Sequence, residues 1–223
     1  MSARTPSATV EDYLKVVWSL QEWDDAPVTT TRLARRLGVG APTVSETVQR
    51  LAERGWLVHE PYRGVTLTAT GRALAVRMVR RHRVLETWLV EALGYAWDEV
   101  HEEAEVLEHA VSDRLVDRLH RALGSPTRDP HGDPVPDADG TVHRPDAVLL
   151  ADLAAGQAGR VVRVDDAVPE VLRECDAAGV ALDVVVVAPV ALSGPALRAV
   201  RVQPVDAPDG EGARDGGAQV TLP

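Results

Sequence analysis

Four side chains able to ligate a metal ion, His101, Glu105, Glu108 and His109, fall inside the segment His101-Glu102-Glu103-Ala104-Glu105-Val106-Leu107-Glu108-His109, which reads as part of one helix. At roughly 100° per residue these positions point within an arc of about 80–100°, so their nitrogen and oxygen atoms can converge on one side. Carboxylates so placed repel one another, and a divalent cation relieves the repulsion. A solvated acidic stripe with incidental histidines has the same pattern, so other segments must decide.

Two other segments carry matching donors. In Arg80-Arg81-His82-Arg83-Val84-Leu85-Glu86, His82 and Glu86 stand at i and i+4 of a second predicted helix, a spacing suited to a pair of ligands. Glu11-Asp12-Tyr13-Leu14 places a carboxylate near the start of an amphipathic run, far away in sequence. Taken singly, His82 could touch a phosphate, and Asp12 could sit in the acid-favoured first turn of its helix.

The elements that must position these groups follow from periodicity and punctuation. Helices are predicted at about 8–23, 29–37, 42–54 and from 71 past Glu91, with a two-stranded ribbon from Trp56 to Leu67. Helical patterns cover about 98–123, and Ser125-Pro126 with Asp129-Pro130-His131-Gly132-Asp133-Pro134-Val135-Pro136 then forms a connector. Beyond it, valine-rich strands at 159–164, 182–188 and 199–205 and a helix at about 169–178 make a small β domain. The segment from Asp209 to Gly217 reads as disordered. The expected domains are 1–75, 76–145 and 146–208, with a tail at 209–223.

Composition narrows the class. The chain has 223 residues, 45% of them hydrophobic, and one cysteine, Cys175, so no intramolecular disulfide framework is expected. Met1 to Ser7 lacks the apolar core of a secretory signal, and Val180 to Leu192 is too short and too interrupted to span a bilayer, so a cytoplasmic protein without membrane attachment is expected. The formal charge of −10 hides a division: residues 28–84 hold 11 arginines against Glu46, Glu53 and Glu60, a local +8 that leaves −18 for the remainder. A basic module suited to a polyanion is joined to an acidic one suited to cations.

The basic module has a recognisable order. Thr29-Thr30-Thr31-Arg32-Leu33-Ala34-Arg35-Arg36-Leu37-Gly38 reads as a helix capped by threonine and ended by glycine. A second helix opens near Pro42, tolerated in the first turn because its missing N–H would be unpaired there. This is a helix-turn-helix, with Thr43, Ser45 and Glu46 at the leading end of the reading helix, Arg50 and Arg54 toward the backbone, and Val44, Val48 and Leu51 on the opposite face. The hairpin that follows, with Arg63 at its tip, forms a wing. Thr31, Arg32, Pro42, Thr43, Ser45, Glu46, Arg50 and Arg63 are the expected contacts with double-stranded operator DNA.

With these motifs together, the chain resembles the metal-dependent repressors of the diphtheria toxin repressor and manganese transport regulator family over about residues 8–145. The resemblance rests on Gly40-Ala41-Pro42-Thr43-Val44-Ser45-Glu46-Thr47-Val48, Arg81-His82-Arg83, Val100-His101-Glu102-Glu103-Ala104, Glu108-His109 and the Ser125 to Pro136 segment. It implies a mainly α N-terminal part, a winged helix-turn-helix plus a helical dimerisation domain, followed by a small β-rich SH3-like domain. It also implies one metal site at Asp12, Glu105, Glu108 and His109 and a second at His82, Glu86 and His101, with Asp166 of the SH3-like domain as a further ligand. Iron-selective members tend to carry methionine and cysteine where this chain has Asp12 and Glu105, so the resemblance implies Mn²⁺, with Fe²⁺ or another divalent transition metal as alternatives; hard oxygen donors suit manganese.

Two departures stand out. Lys15 occupies the position where short manganese regulators place another acid, so the separated sites of the longer members are the expected arrangement. Glu46 replaces a glutamine of iron-type members, and an acceptor-only carboxylate favours a donor such as a cytosine amine. The implied function is a homodimeric, metal-dependent repressor of metal homeostasis that reads a palindromic operator and takes no small-molecule substrate. Leu85, Trp88, Leu89, Leu93, Leu115 and Leu119 serve equally well as dimer face or intrachain core. A metallohydrolase is disfavoured because the residue four after His101 is Glu105 rather than the histidine of His-Glu-x-x-His. A winged-helix regulator of a small organic ligand, with a merely structural acidic cluster, is the other alternative.

Overall fold

The computed structural model describes residues 6–60 and 63–206, and the chain divides after Arg144 into two compact units. In the first, α1 (Ala8–Glu22) buries Val10, Tyr13, Leu14, Val17 and Trp18, the i, i+3, i+4 stripe of an amphipathic helix. α2 (Thr30–Leu37) starts where the Thr29 hydroxyl accepts the Arg32 amide and ends at Gly38, whose φ of 66° is left-handed. α3 (Ala41–Glu53) follows with Pro42 in its first turn and with Val44, Val48 and Leu51 fully buried against the same core. The antiparallel hairpin of β1 (Leu57–Glu60) and β2 (Gly64–Leu67) completes the winged helix. Pro61 and Tyr62 lie outside the described residues.

The wing is fastened to α4 (Ala69–Leu93). Thr68 caps this helix by accepting the Gly71 amide, and its own hydroxyl donates to the Gly55 and Trp56 carbonyls. Gly71 lies so close beneath Trp56 that a Cβ would collide with that carbonyl oxygen. The helix stops at Leu93, with Gly94 in the left-handed region at φ 75°.

The helical run expected over 98–123 is broken. α5 (Val100–Leu107) ends before His109, and α6 (Asp113–Ala122) begins afresh where the Ser112 hydroxyl accepts the Leu115 amide and Asp113 occupies the acid-favoured first turn. His109 therefore sits on the intervening turn and not on the helix that carries His101 and Glu105. Leu85 and Leu89 are intrachain core, packed with Val100 and Ala104, while Trp88 and Leu119 are partly buried and Leu93 and Leu115 are exposed.

The segment expected as a plain connector is buried over residues 131–136. Asp129 folds it by accepting the amides of His131 and Asp133, and the Arg83 guanidinium of α4 grips it at the Pro134 carbonyl. Arg83 also makes a double ion pair with Glu22 at the end of α1, and Asp129 and Asp133 flank it at 3.6 and 3.5 Å.

The second unit is a four-stranded antiparallel sheet in the order β3-β6-β4-β5: β3 (Val148–Leu149), β4 (Ala158–Val164), β5 (Val185–Val187) and β6 (Val200–Val205). Val161, Val164, Val200 and Val202 are fully buried in its core, β4 shifting register between Val161 and Arg163, and Leu172 and Cys175 of α7 (Pro169–Ala177) are buried as well. α8 (Gly194–Ala199), which periodicity did not reveal, starts at a Ser193 cap with a proline in its first turn. The expected tail at 209–223 falls outside the described residues. Among the described residues, no helix is long and apolar enough to cross a membrane.

Candidate metal centre and nucleic-acid interface

Three elements bring the donors together. α1 supplies Glu11, Asp12 and Lys15; α4 supplies His82 and Glu86; α5 and the turn after it supply His101, Glu105, Glu108 and His109. Asp12, Glu108 and His109 form one group whose nearest donor atoms lie within 4.8 Å of one another. His109 Nε2 is 2.9 Å from Asp12 Oδ1 and 3.6 Å from Glu108 Oε1.

A carboxylate that spacing alone does not single out orients His109. Glu11, buried beside Asp12, lies 3.0 Å from His109 Nδ1 through Oε2. A proton on Nδ1, donated to Glu11, leaves the Nε2 lone pair facing Asp12 and Glu108, the carboxylate-histidine arrangement that fixes ligand rings at metal sites.

The second set also converges. His82 Nε2 is 2.8 Å from Glu86 Oε1 and 3.1 Å from His101 Nδ1, which is itself 3.2 Å from Glu86 Oε1. Glu105 does not complete the group of Asp12, Glu108 and His109; it gathers with His82 and Glu108 and lies 3.6 Å from His101. Glu108 joins the two sets, because its Oε2 is 2.6 Å from His82 Nδ1 while its Oε1 faces His109. Asp166 lies just after β4 in the second unit, partly buried.

Lys15 lies inside this cluster. Its Nζ donates to Glu105 Oε1 and to Glu108 Oε1, each at 2.6 Å, with the lysine side chain 8% exposed and that of Glu108 fully buried.

The electrostatics describe a cluster rich in negative charge. Burial opposes the charge on His82, but Glu86 and Glu108 more than offset it and push its pKa up to about 9. His109 is raised in the same way, burial being overcome by Glu11, Asp12 and Glu108. The Asp12 carboxyl lies above the usual carboxylate range because burial, helped by Glu105 and Glu108, outweighs His109 and Lys15. Burial also disfavours the Glu105 anion, yet Lys15 holds that carboxyl below the usual range. Burial likewise opposes the ammonium of Lys15, and the pull of Glu108 and Glu105 raises its pKa nonetheless. A partly buried carboxyl whose anion is disfavoured by burial, beside imidazole nitrogens and further carboxylate oxygens, fits a divalent cation with hard or borderline preferences.

A third group, Glu86 with Asp129 and His131, is wholly buried. His131 Nε2 lies 2.6 Å from the Trp97 carbonyl, and Arg83 stands beside Asp129. Burial, Asp133 and Glu86 push the Asp129 carboxyl up to about 8, against the pull of His131 and Arg83. With the guanidinium in place, this group supports the loop behind Glu86.

The leading end of α3 leaves Pro42, Thr43, Ser45 and Glu46 exposed, and Arg50 in its last turn, Thr31 on α2 and Arg63 at the wing are exposed too. Arg32 is used otherwise. Its guanidinium donates to the Ala26 and Pro27 carbonyls and to Asp24, holding the loop before α2.

Residues 6–65 match the iron dependent repressor, N-terminal DNA binding domain, and residues 68–137 match the iron dependent repressor, metal binding and dimerisation domain. The chain is 38% identical over 161 residues to the iron-dependent repressor IdeR of Mycobacterium leprae, spanning 69% of this chain and 70% of that one. It is 40% identical over 162 residues to the diphtheria toxin repressor of Corynebacterium efficiens, spanning 69% and 68%. Among solved structures, it matches a manganese-dependent transcriptional repressor in complex with manganese, with a TM-score of 0.81 and 46% identity over 88% of this chain and all of that one. A structure of the regulator ScaR with bound Zn²⁺ matches with a TM-score of 0.75 and 29% identity over 90% of this chain. Carrying both of the family's domains and the donor groups described above, the chain belongs to the iron-dependent repressor family of metal-dependent, DNA-binding transcriptional repressors.

Proposed function

We propose that this protein is a manganese-responsive repressor in which Asp12, Glu108 and His109 hold one divalent cation and His82, Glu86 and His101 hold another. The observation that carries the reading is the convergence of Asp12, from the first helix of the winged module, on Glu108 and His109 beyond α5. When bound, the cation supplies the positive charge that lets these carboxylates stay together. The donors are all oxygen and nitrogen: the single cysteine lies in α7 and Met78 is buried against Arg81, so no described sulfur offers the soft ligand that iron, copper or zinc would exploit.

The chain's own residues supply the coupling. Asp12 sits on the helix whose Val10, Tyr13, Leu14, Val17 and Trp18 pack the core shared with α2 and α3. Fixing Asp12 against Glu108 and His109 therefore fixes the reading helix relative to α5. Glu11 holds the His109 ring in register, and the exposed apolar side chains Leu93, Val106 and Leu115 suit a second copy of the chain. A two-fold homodimer presents two α3 helices to a palindromic operator, with Thr31, Pro42, Thr43, Ser45, Glu46, Arg50 and Arg63 facing the duplex. A cytoplasmic regulator without catalytic activity follows from this reading.

Operator affinity, measured by fluorescence anisotropy at fixed salt on a duplex recovered by in vitro selection, tests it. Manganese should tighten binding at least tenfold over chelated protein, within the range of typical coupling energies, and Asp12→Ala and His109→Ala should abolish the gain. Equal affinity with EDTA and with Mn²⁺ overturns the proposal.

A further inference from the structure

Lys15 is the only lysine in the chain; every other one of its 24 basic side chains is an arginine. That single ammonium is buried and centred on Glu105 and Glu108, 2.6 Å from each. A guanidinium is broad and planar, whereas an ammonium is a compact point charge, closer in shape to a metal ion. The oxygen it occupies is also informative. Lys15 lies on Glu108 Oε1, the same atom that faces His109 Nε2 at 3.6 Å. The ammonium and an ion held by Asp12, Glu108 and His109 must therefore share that oxygen or exchange for it.

We infer that Lys15 is a tethered competitor of the metal, a built-in cation that holds Glu105 and Glu108 together without metal and is moved off Glu108 when an ion binds. The inference rests on reading Asp12, Glu108 and His109 as cation ligands. Metal must displace a charge already in place, so Lys15 weakens affinity and raises the concentration at which the switch responds. Lys15 also fills the space between Glu105 and Glu108, which confines that side of the cluster to one ion.

The experiment is calorimetric titration of Mn²⁺ into wild-type protein and Lys15→Met, with thermal unfolding of both with and without the metal. Lys15→Met should bind Mn²⁺ at least tenfold more tightly, unfold at a lower temperature than wild type under chelation, and show the larger rise in Tm on adding metal. Affinity within twofold of wild type, or weaker, in a folded variant overturns the inference. Wild-type protein that binds no Mn²⁺ instead defeats the metal reading beneath it. Because Lys15 is the sole lysine, wild-type protein labelled with 13C at the lysine Cε offers a readout without mutation. Saturating Zn²⁺, which is diamagnetic, should shift that one resonance; a resonance unmoved by Zn²⁺ that calorimetry shows to be bound overturns the inference.

Discussion

His82 Nδ1 and Glu108 Oε2 lie 2.6 Å apart, so one carboxylate with no exposed surface links a histidine of the second donor set to the turn that carries the first. Glu108 also accepts from Lys15 and faces His109. Glu108 thus links the two donor groups through a single side chain.

Glu108→Gln removes the charge from this junction while keeping its shape. Lys15 and His82 would then face a neutral amide in a buried site, and loss of one partner from such a buried pair costs about 3–5 kcal/mol. Urea unfolding under chelation should show a loss of that order, and calorimetry should show Mn²⁺ affinity falling for both sites rather than one.

The chelated protein should lose stability on the alkaline side. His82 holds its proton to about 9 in the folded state against 6.5 as the ordinary value, so its stabilising contribution is complete below about pH 6.5 and disappears as pH rises through 9. The upper bound is about 3 kcal/mol, since each tenfold gain in proton affinity is worth about 1.4 kcal/mol. Urea midpoints measured with EDTA at pH 6 and pH 9.5 check this; an unchanged midpoint contradicts it.

Arg83→Met should be among the most damaging substitutions in the first unit. It strands Glu22 and Asp133, both buried, without their shared guanidinium, at a cost of about 3–5 kcal/mol. Asp129→Asn should be mild by comparison at pH 7, because that carboxyl titrates near 8 and the amide oxygen can still accept the His131 and Asp133 amides. Thermal denaturation of the two variants side by side separates them.

Two arginines of the winged module should behave differently. Arg50, exposed on α3, is expected at the phosphate backbone, so Arg50→Ala should weaken operator binding and reduce the slope of log affinity against log salt by about 1. Arg32 is spent on Asp24 and the Ala26 and Pro27 carbonyls, so Arg32→Ala should lower the melting temperature and leave the salt slope unchanged. Salt-dependent anisotropy with a parallel melt distinguishes them.

The winged helix was readable because each of its boundaries has a local chemical cause: Thr29 and Gly38 bracket α2, Pro42 opens α3, and Val44, Val48 and Leu51 repeat on one face. Asp12, Glu108 and His109, and likewise His82, Glu86 and His101, fall into the two groups that the resemblance implies, and Glu105 is the one that lies elsewhere. A continuous helix puts Glu105 with His109; the Ser112 cap breaks that helix, sends His109 toward Glu11 and Asp12, and leaves Glu105 to Lys15. Neither Glu11 nor Lys15 could be placed from spacing, since each depends on how α1 lies against α4 and α5. The 125–136 segment reads as a linker by composition, and only the buried Arg83 beneath it shows otherwise. Short elements such as β3 and α8 are too brief for periodicity to register.

The absence of room for a side-chain carbon at Gly71 has a mechanical consequence. Eleven residue steps of unbroken helix separate it from His82, about 16 Å at 1.5 Å per residue, so the hairpin and the donor cluster lie at two stations along one helix. With its near end packed against the backbone of Trp56, α4 runs without a break from the hairpin to His82 and Glu86.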